Sequence, residues 1–379
     1  MAKRSLFVEV AADQPRVQPL GGMIDARNRG ARGAIRGWLV GLFVLVALMI
    51  AIGGLTRLSD AGLSITEWKP LSGALPPMDA AAWDGEFARY QAIPQYQLVN
   101  KGMVLADFKV LYWWEWGHRQ LGRLIGLVWF AGFAGFALAR RIPPGWTGRL
   151  VWIGALGGLQ GAIGWWMVSS GLSGTLVSVA SYRLAVHLGL AFVIFGFIGW
   201  YVLALGQSEA GLIKARRSAE AGLGRWTTGL MALAFVQVVL GALVAGIDAG
   251  RGFTDWPWMA GQFFPPEAFV IEPVWRNFLE NPGLVQFIHR MGGYLLVLAG
   301  LALWLAARRS VNRATRTAFH GVALMLVLQM ALGIFTVLYG APLHLALTHQ
   351  IGAIVLWVLI LRARFQCRYP QTEMIRRPA

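Results

Sequence analysis

Six histidines occur in the 379 residues, and four of them stand where metal chemistry could be done. His118 and His289 each open a long apolar run and are each followed by arginine, Arg119 and Arg290; His187 and His349 lie near the starts of two further runs. An ionisable side chain inside an apolar span is costly and usually faces a bundle interior, so four of them call for one shared reason. Two imidazoles from facing helices of a four-helix bundle can hold a haem iron from both sides. For any single histidine an interhelical hydrogen bond is the simpler account, but repetition at four equivalent places favours ligation, with one haem expected in each half of the chain. Zinc fits less well, because two histidines per half with no cysteine leave a tetrahedral shell unfilled. His320 and His344 have no repeat partner and are expected to be structural or interfacial. His344 also sits five residues before His349, off its helix face.

Glu115 stands one turn before His118, so the two side chains share a face. The position matching it in the second half is Gln286. An amide cannot exchange a proton as a carboxylate can, so the first half is expected to be reactive and the second to hold an electron-transfer or structural haem. The competing reading pairs Glu115 with Arg119 or Arg123 as an interfacial ion pair. Arg119, Arg123, Arg183 and Arg290 lie near the outer helix ends, where guanidinium groups could bind haem propionates; loop carboxylates or lipid headgroups would serve as well. Trp113, Trp114 and Trp116 read first as an aromatic belt at headgroup level.

These residues need elements to position them. Of the chain, 56% is hydrophobic and 14% charged, with mean hydropathy +0.54, a composition too apolar for a soluble surface. Eight apolar runs of about 20 residues, each long enough to cross roughly 30 Å of hydrocarbon, cover about 36–56, 118–139, 149–170, 182–206, 226–247, 286–307, 318–340 and 343–362. Helices must carry them, since lipid satisfies no backbone group. The net charge of +16 is concentrated in both tails and in the short links at Arg140–Arg149, Lys214–Arg225 and Arg308–Arg316. By the positive-inside rule both termini and these links are cytoplasmic, which puts the four histidines toward the outer face. The charge is topological; no motif or stacking platform for nucleic acid accompanies it. Residues 1–35 read as a disordered cytoplasmic tail without a cleavable signal. Residues 363–379 read as a second cytoplasmic tail, carrying the only cysteine, Cys367, so no intramolecular disulfide or cysteine cluster is expected. No glycine-rich dinucleotide fingerprint follows a strand, so NAD and flavin are not indicated.

The spans fall into two copies of one unit. Asp60-Ala61-Gly62 and Thr66-Glu67-Trp68 are answered, 188 residues on, by Asp248-Ala249-Gly250 and Thr254-Asp255-Trp256. Leu159-Gln160 with Gly164 is answered by Leu328-Gln329 with Gly333. The expected fold class is therefore an all-α integral membrane protein, its eight transmembrane helices forming two tandem parallel-repeat four-helix bundles. Their bounds are 36–206 and 226–362, joined by a cytoplasmic linker at 207–225. The outer loops, about 58–115 and 248–285, are long enough to have a role, and a folded cap over each half is one reading.

Gly54-Leu55-Thr56-Arg57-Leu58, Gly62-Leu63-Ser64-Ile65-Thr66-Glu67-Trp68-Lys69-Pro70, Phe108-Lys109 and Glu115-Trp116-Gly117-His118-Arg119 with Gly122-Arg123 resemble the heme A synthase family, in its alphaproteobacterial and mitochondrial, cysteine-poor branch. The resemblance covers about 36–362. It implies an oxidoreductase that converts the methyl group of haem O to the formyl group of haem A by successive hydroxylations with water-derived oxygen, for cytochrome c oxidase assembly. Carried over by motif, Glu115 is the catalytic carboxylate, His118 and His187 ligate the substrate haem, and His289 and His349 ligate a haem b. Membrane lipid, a heme O synthase, an electron acceptor and a homo-oligomer are the partners it suggests, in the bacterial inner membrane with the haem sites toward the periplasm. The paired outer-loop cysteines of the Bacillus type are absent here, which excludes a thiol role. Two rival classes stand beside it: a di-haem b-type cytochrome that carries electrons without altering haem, and a transporter with repeated helices and intramembrane histidines.

Overall fold

A computed structural model describes the backbone of residues 23–370. Its α-helices are α1 (Met23–Leu58), α2 (Ala80–Gln91), α3 (Pro94–Leu98), α4 (Leu105–Leu138), α5 (Thr147–Val168), α6 (Ser181–Leu205), α7 (Glu209–Arg216), α8 (Ala221–Gly246), α9 (Asn277–Glu280), α10 (Pro282–Ala307), α11 (Arg313–Leu338) and α12 (Leu343–Arg368). Eight of them, α1, α4, α5, α6, α8, α10, α11 and α12, are long and apolar enough to span a membrane, matching the eight runs. Among the described residues no strand is formed.

The helices outrun the hydrocarbon. At 34 residues, α4 is about 51 Å long, well beyond a core of about 30 Å. It therefore starts at Leu105 rather than near 118, and His118 sits inside the helix instead of opening it. His289 likewise lies within α10, which begins at Pro282. Hydropathy marks the lipid-facing stretch alone; the polar turns that continue a helix into the headgroup region escape it.

The same cause corrects both tails. Residues 23–35, expected as part of the disordered tail, are helical, and residues 1–22 lie outside the described residues. Residues 363–368, expected as tail, complete α12. Cys367 is buried there, its sulfur 3.9 Å from Thr227 Oγ1, and Arg364 Nε donates to Thr228 Oγ1 at 2.6 Å. Basic residues end a hydropathy run without ending a helix, because their stems stay on apolar surface while their heads reach polar partners. The linker 207–225 contains α7 and the first turn of α8. Its Glu220 Oε1 accepts hydrogen bonds from Ser310 Oγ, Asn312 Nδ2 and Thr315 Oγ1, fastening the linker to the start of α11.

Within the first half α1, α4, α5 and α6 pack in a ring, and within the second α8, α10, α11 and α12 do the same. The halves meet along α1, α6, α8 and α12. In lipid this association rests on van der Waals packing and small residues. Between the halves Gly196 admits the Trp357 ring and Gly246 lies directly against the backbone of Ser181, while within the first half Phe43 stacks on Phe195 at 4.1 Å between ring centres. Leu127, Phe130, Leu298 and Leu324 are exposed and face outward, as a lipid-bathed surface requires.

The repeat extends to backbone conformation: Asp60 and Asp248 both adopt φ 52°, left-handed turns ending α1 and α8. Arg57 ties the halves together there, donating from Nη1 to Asp60 Oδ1 and from Nη2 to Asp248 Oδ2, each at 3.1 Å. The first outer loop is folded, with α2, α3 and a short core of Leu63, Ile65, Trp83, Tyr90, Ile93, Phe108 and Tyr112. Trp83 sits 5.7 Å from Trp113, so part of the tryptophan cluster belongs to this cap while Trp114 stays exposed.

Candidate functional site

Each of the four histidines is seated against a glycine of a neighbouring helix. A Cβ built on Gly53 would lie 3.2 Å from His118 Nε2, on Gly164 2.9 Å from His187 Cε1, on Gly241 3.1 Å from His289 Cε1, and on Gly333 3.0 Å from His349 Cε1. These are distances at which any larger residue would push the ring aside. The helices that carry the rings are α4, α6, α10 and α12; those that carry the glycines are α1, α5, α8 and α11.

The structure brings the second pair of rings together. His289 and His349 face each other with ring centres 6.5 Å apart and planes at 81°. Two metal–imidazole bonds of about 2.0 Å, with about 1.2 Å from each nitrogen to its ring centre, need about 6.4 Å, so this pair fits an iron between the rings. His118 and His187 stand on α4 and α6, against Gly53 and Gly164. Unsatisfied polar atoms cluster here: His349 Nδ1, Gln160 Oε1, Gln237 Oε1 and Gln329 Oε1 are buried with no hydrogen-bond partner among the described residues. Two imidazoles to a half, each seated on a glycine, suit a haem in each half.

His320 and His344, the two without repeat partners, are exposed. His320 Nδ1 accepts from Trp304 Nε1 at 2.8 Å, the structural role expected of it.

Glu115 is buried, 3% exposed, and both carboxylate oxygens are occupied. Oε2 accepts from Ser64 Oγ at 2.8 Å and from the Ile65 amide at 2.9 Å. Oε1 accepts from Arg119, at 3.1 Å from Nε and 2.6 Å from Nη2. Arg119 also donates to the carbonyls of Ile65 at 2.7 Å and Glu67 at 3.0 Å. Its counterpart Arg290 donates to the carbonyls of Phe253 and Asp255, the positions 188 residues further on, and to that of Trp258. Gln286 takes the place of Glu115, donating to Phe253 O and accepting from Arg290. Both features weighed in the sequence are therefore present, an arginine-paired carboxylate and a carboxylate found in one half alone.

Arg119, Arg123 and Arg290, candidates for binding the carboxylates of a porphyrin, all donate to loop carbonyls, Arg119 to Glu115 as well and Arg123 to the carbonyls of Lys69 and Pro70. Arg123 Nη1 and Arg290 Nε remain buried without partners among the described residues. Arg183 donates to Trp166 O and lies over its ring.

Beside Arg119 and Arg123 the first cap forms a half-open cleft of about 420 Å³. Its wall includes an ion-pair network in which Lys69 and Arg89 both bridge Glu67 and Glu86. The hydrogen bond from Lys69 holds the Glu67 carboxyl below the usual carboxylate range, helped by the Arg89 charge.

Sequence reading missed the partners of the rings. Three histidines have a glutamine one turn before the glycine: Gln160 Nε2 donates to His187 O at 3.0 Å, Gln237 Nε2 to His289 O at 2.9 Å, and Gln329 Nε2 to His349 O at 2.6 Å. The signal was available as Gln-x-x-x-Gly on three odd-numbered spans.

The architecture and site define an eight-span helical membrane protein built round paired histidines, with one buried carboxylate beside the first pair. A family model described as cytochrome oxidase assembly protein, COX15-CtaA, matches residues 36–361. Proteins named heme A synthase from Dinoroseobacter shibae and Paracoccus denitrificans are each 62% identical, over 99% of this chain and 98% and 99% of their own lengths. One from Cereibacter sphaeroides is 56% identical over 99% of this chain. The chain belongs to the heme A synthase family.

Proposed function

We propose that this chain oxidises the methyl group of haem O to the formyl group of haem A, supplying cytochrome c oxidase assembly. The observation that carries the reading is the pairing of four glycine-seated histidines with a carboxylate that only the first half possesses. On this reading His118 and His187 hold the substrate haem in the half spanning 36–206, and His289 and His349 hold a haem b in the half spanning 226–362.

The change of a methyl to a formyl group consumes one water and releases four electrons and four protons, through two successive hydroxylations and loss of water from the resulting diol. A haem b in the second half would supply one-electron transfer toward an acceptor. The chain's own residues do the rest. Glu115, held by four donors on one face with His118, accepts a proton or steadies positive charge at the reacting carbon. Arg119 fixes that carboxylate and the loop above it together. The folded cap limits water to what the site uses, and the cleft beside Arg119 gives a polar route to the outer phase.

The basic links support an orientation with both termini cytoplasmic and the haem sites toward the periplasm. Lipid, a heme O synthase, an electron acceptor and a further copy of the chain are the partners proposed.

The test is chemical. Protein purified after expression beside a haem O source is extracted, and the pigment is read as its pyridine complex. The enzyme yields the formyl haem with its shifted band; haem recovered unaltered would make the chain a di-haem electron carrier, and a colourless protein would overturn both.

A further inference from the structure

The four histidine seats are alike in all but one member. Gly53, Gly164, Gly241 and Gly333 each receive a ring. Four residues before them stand Met49, Gln160, Gln237 and Gln329. Each glutamine donates to the backbone carbonyl of its histidine, and in two of the seats the same amide nitrogen lies against the ring itself: 3.2 and 3.3 Å from the two ring nitrogens of His187, and 3.1 and 3.5 Å from those of His289. Gln237 and Met49 are 188 residues apart, the spacing of the repeat, so Met49 occupies the place of a lost lock. Its Cε would lie 3.5 Å from a Cβ on Gly122, one turn beyond His118, so the thioether does reach the seat.

A glutamine in this position joins two helices at the backbone carbonyl of the ligand residue. One such hydrogen bond is worth from about twofold to about tenfold in an equilibrium. Methionine donates no hydrogen bond, accepts weakly and has three soft rotatable bonds. Among the described residues the carbonyl of His118 thus lacks the interhelical side-chain donor that the other three receive.

We propose that Met49 is a positioning residue that leaves His118 the releasable ligand of the first-half haem, while Gln160, Gln237 and Gln329 fix the other three. The inference rests on the haem-ligand reading above and deepens it. A haem that is substrate must be delivered and discharged, and one unlocked ligand opposite a locked one lets the porphyrin leave from the His118 side. A resident haem has no such need, and both its ligands are locked.

The test follows haem leaving full-length detergent-purified protein for excess apomyoglobin. His118→Ala and His289→Ala identify which phase of the transfer belongs to which half. Met49→Gln is expected to slow release from the first half several-fold, the effect of restoring one interhelical hydrogen bond. Met49→Leu, which fills the space without a donor, is expected to leave that rate at the wild-type value, and Gln237→Met to speed release from the second half. Wild-type release in both Met49→Gln and Gln237→Met, or equal slowing by Met49→Leu and Met49→Gln, overturns the proposal alone. Loss of no haem in His118→Ala overturns the ligand reading beneath it, which the Met49 rates by themselves cannot do.

Discussion

Arg119 grips Glu115 through two nitrogens, at 3.1 Å and 2.6 Å, while its repeat counterpart Arg290 reaches Gln286 through one, at 3.3 Å. The same scaffold thus holds a charge in one half and an amide in the other. Replacing Glu115 by Gln converts the first site to the pattern of the second. Haem content is expected to stay at the wild-type level, and the formyl product to disappear from the extracted pigment. Undiminished conversion would remove Glu115 from the chemistry and leave it as a loop anchor.

The seats give a prediction of opposite sign to helix propensity. Gly164→Ala should favour helix α5 by about 1 kcal/mol. Yet the new Cβ would stand 2.9 Å from His187 Cε1, and the ring must move. The haem-to-protein ratio is expected to fall toward half the wild-type value, with the second-half spectrum kept. Gly157→Ala on the same helix, whose Cβ meets nothing within 4 Å, should leave it unchanged. Equal absorbance in both variants would refute the seat.

Arg290 holds the second outer loop through three backbone carbonyls, those of Phe253, Asp255 and Trp258. A charged hydrogen bond contributes about 1.5–3 kcal/mol, and the lost set leaves the part-buried carbonyls of Phe253 and Asp255 without this donor. Arg290→Met is expected to lower the melting temperature and to open residues 253–262 to protease. A protease pattern like that of wild type would show that the loop is held elsewhere.

Asp255 supplies a pH test outside the membrane. Its oxygens accept from the amides of Gly261 at 3.0 Å and Ala260 at 3.1 Å. The Gly261 amide chiefly, then the Ala260 amide and the Arg290 charge, lower its pKa below the usual aspartate value. A depressed carboxylate adds stability above its unfolded pKa and loses it as pH falls through the folded one. Protection of the 255–261 turn from hydrogen exchange is therefore expected to persist at neutral pH and to fall on acidification below the ordinary aspartate range. In Asp255→Asn the protection should be lower and independent of pH; a wild-type acid profile in that variant would contradict the assignment.

The eight spans were legible before any coordinates, because the free energy of moving a segment into lipid depends on its own composition. The motifs repeated at an offset of 188 were legible as well, since spacing is read directly along the chain. The Glu115 and Gln286 contrast was equally plain. Helix ends were less so, since α4 and α12 run on through polar residues that hydropathy takes as boundaries, and His118 moved from helix start to helix interior.

The partners of the side chains belong to the packed protein. Gln160 and Gln329 were visible as part of the repeat, yet nothing in their order along the chain tied them to His187 and His349. Arg119, Arg123 and Arg290 were equally free to meet porphyrin, lipid or loop until the fold laid the carbonyls of residues 65–70 and 253–258 across them. A residue's type and spacing determine which face of a helix it takes and what chemistry it could do. Which group it meets depends on how helices distant in sequence pack, and hydrogen bonds act over about 3 Å, so only tertiary contact decides them.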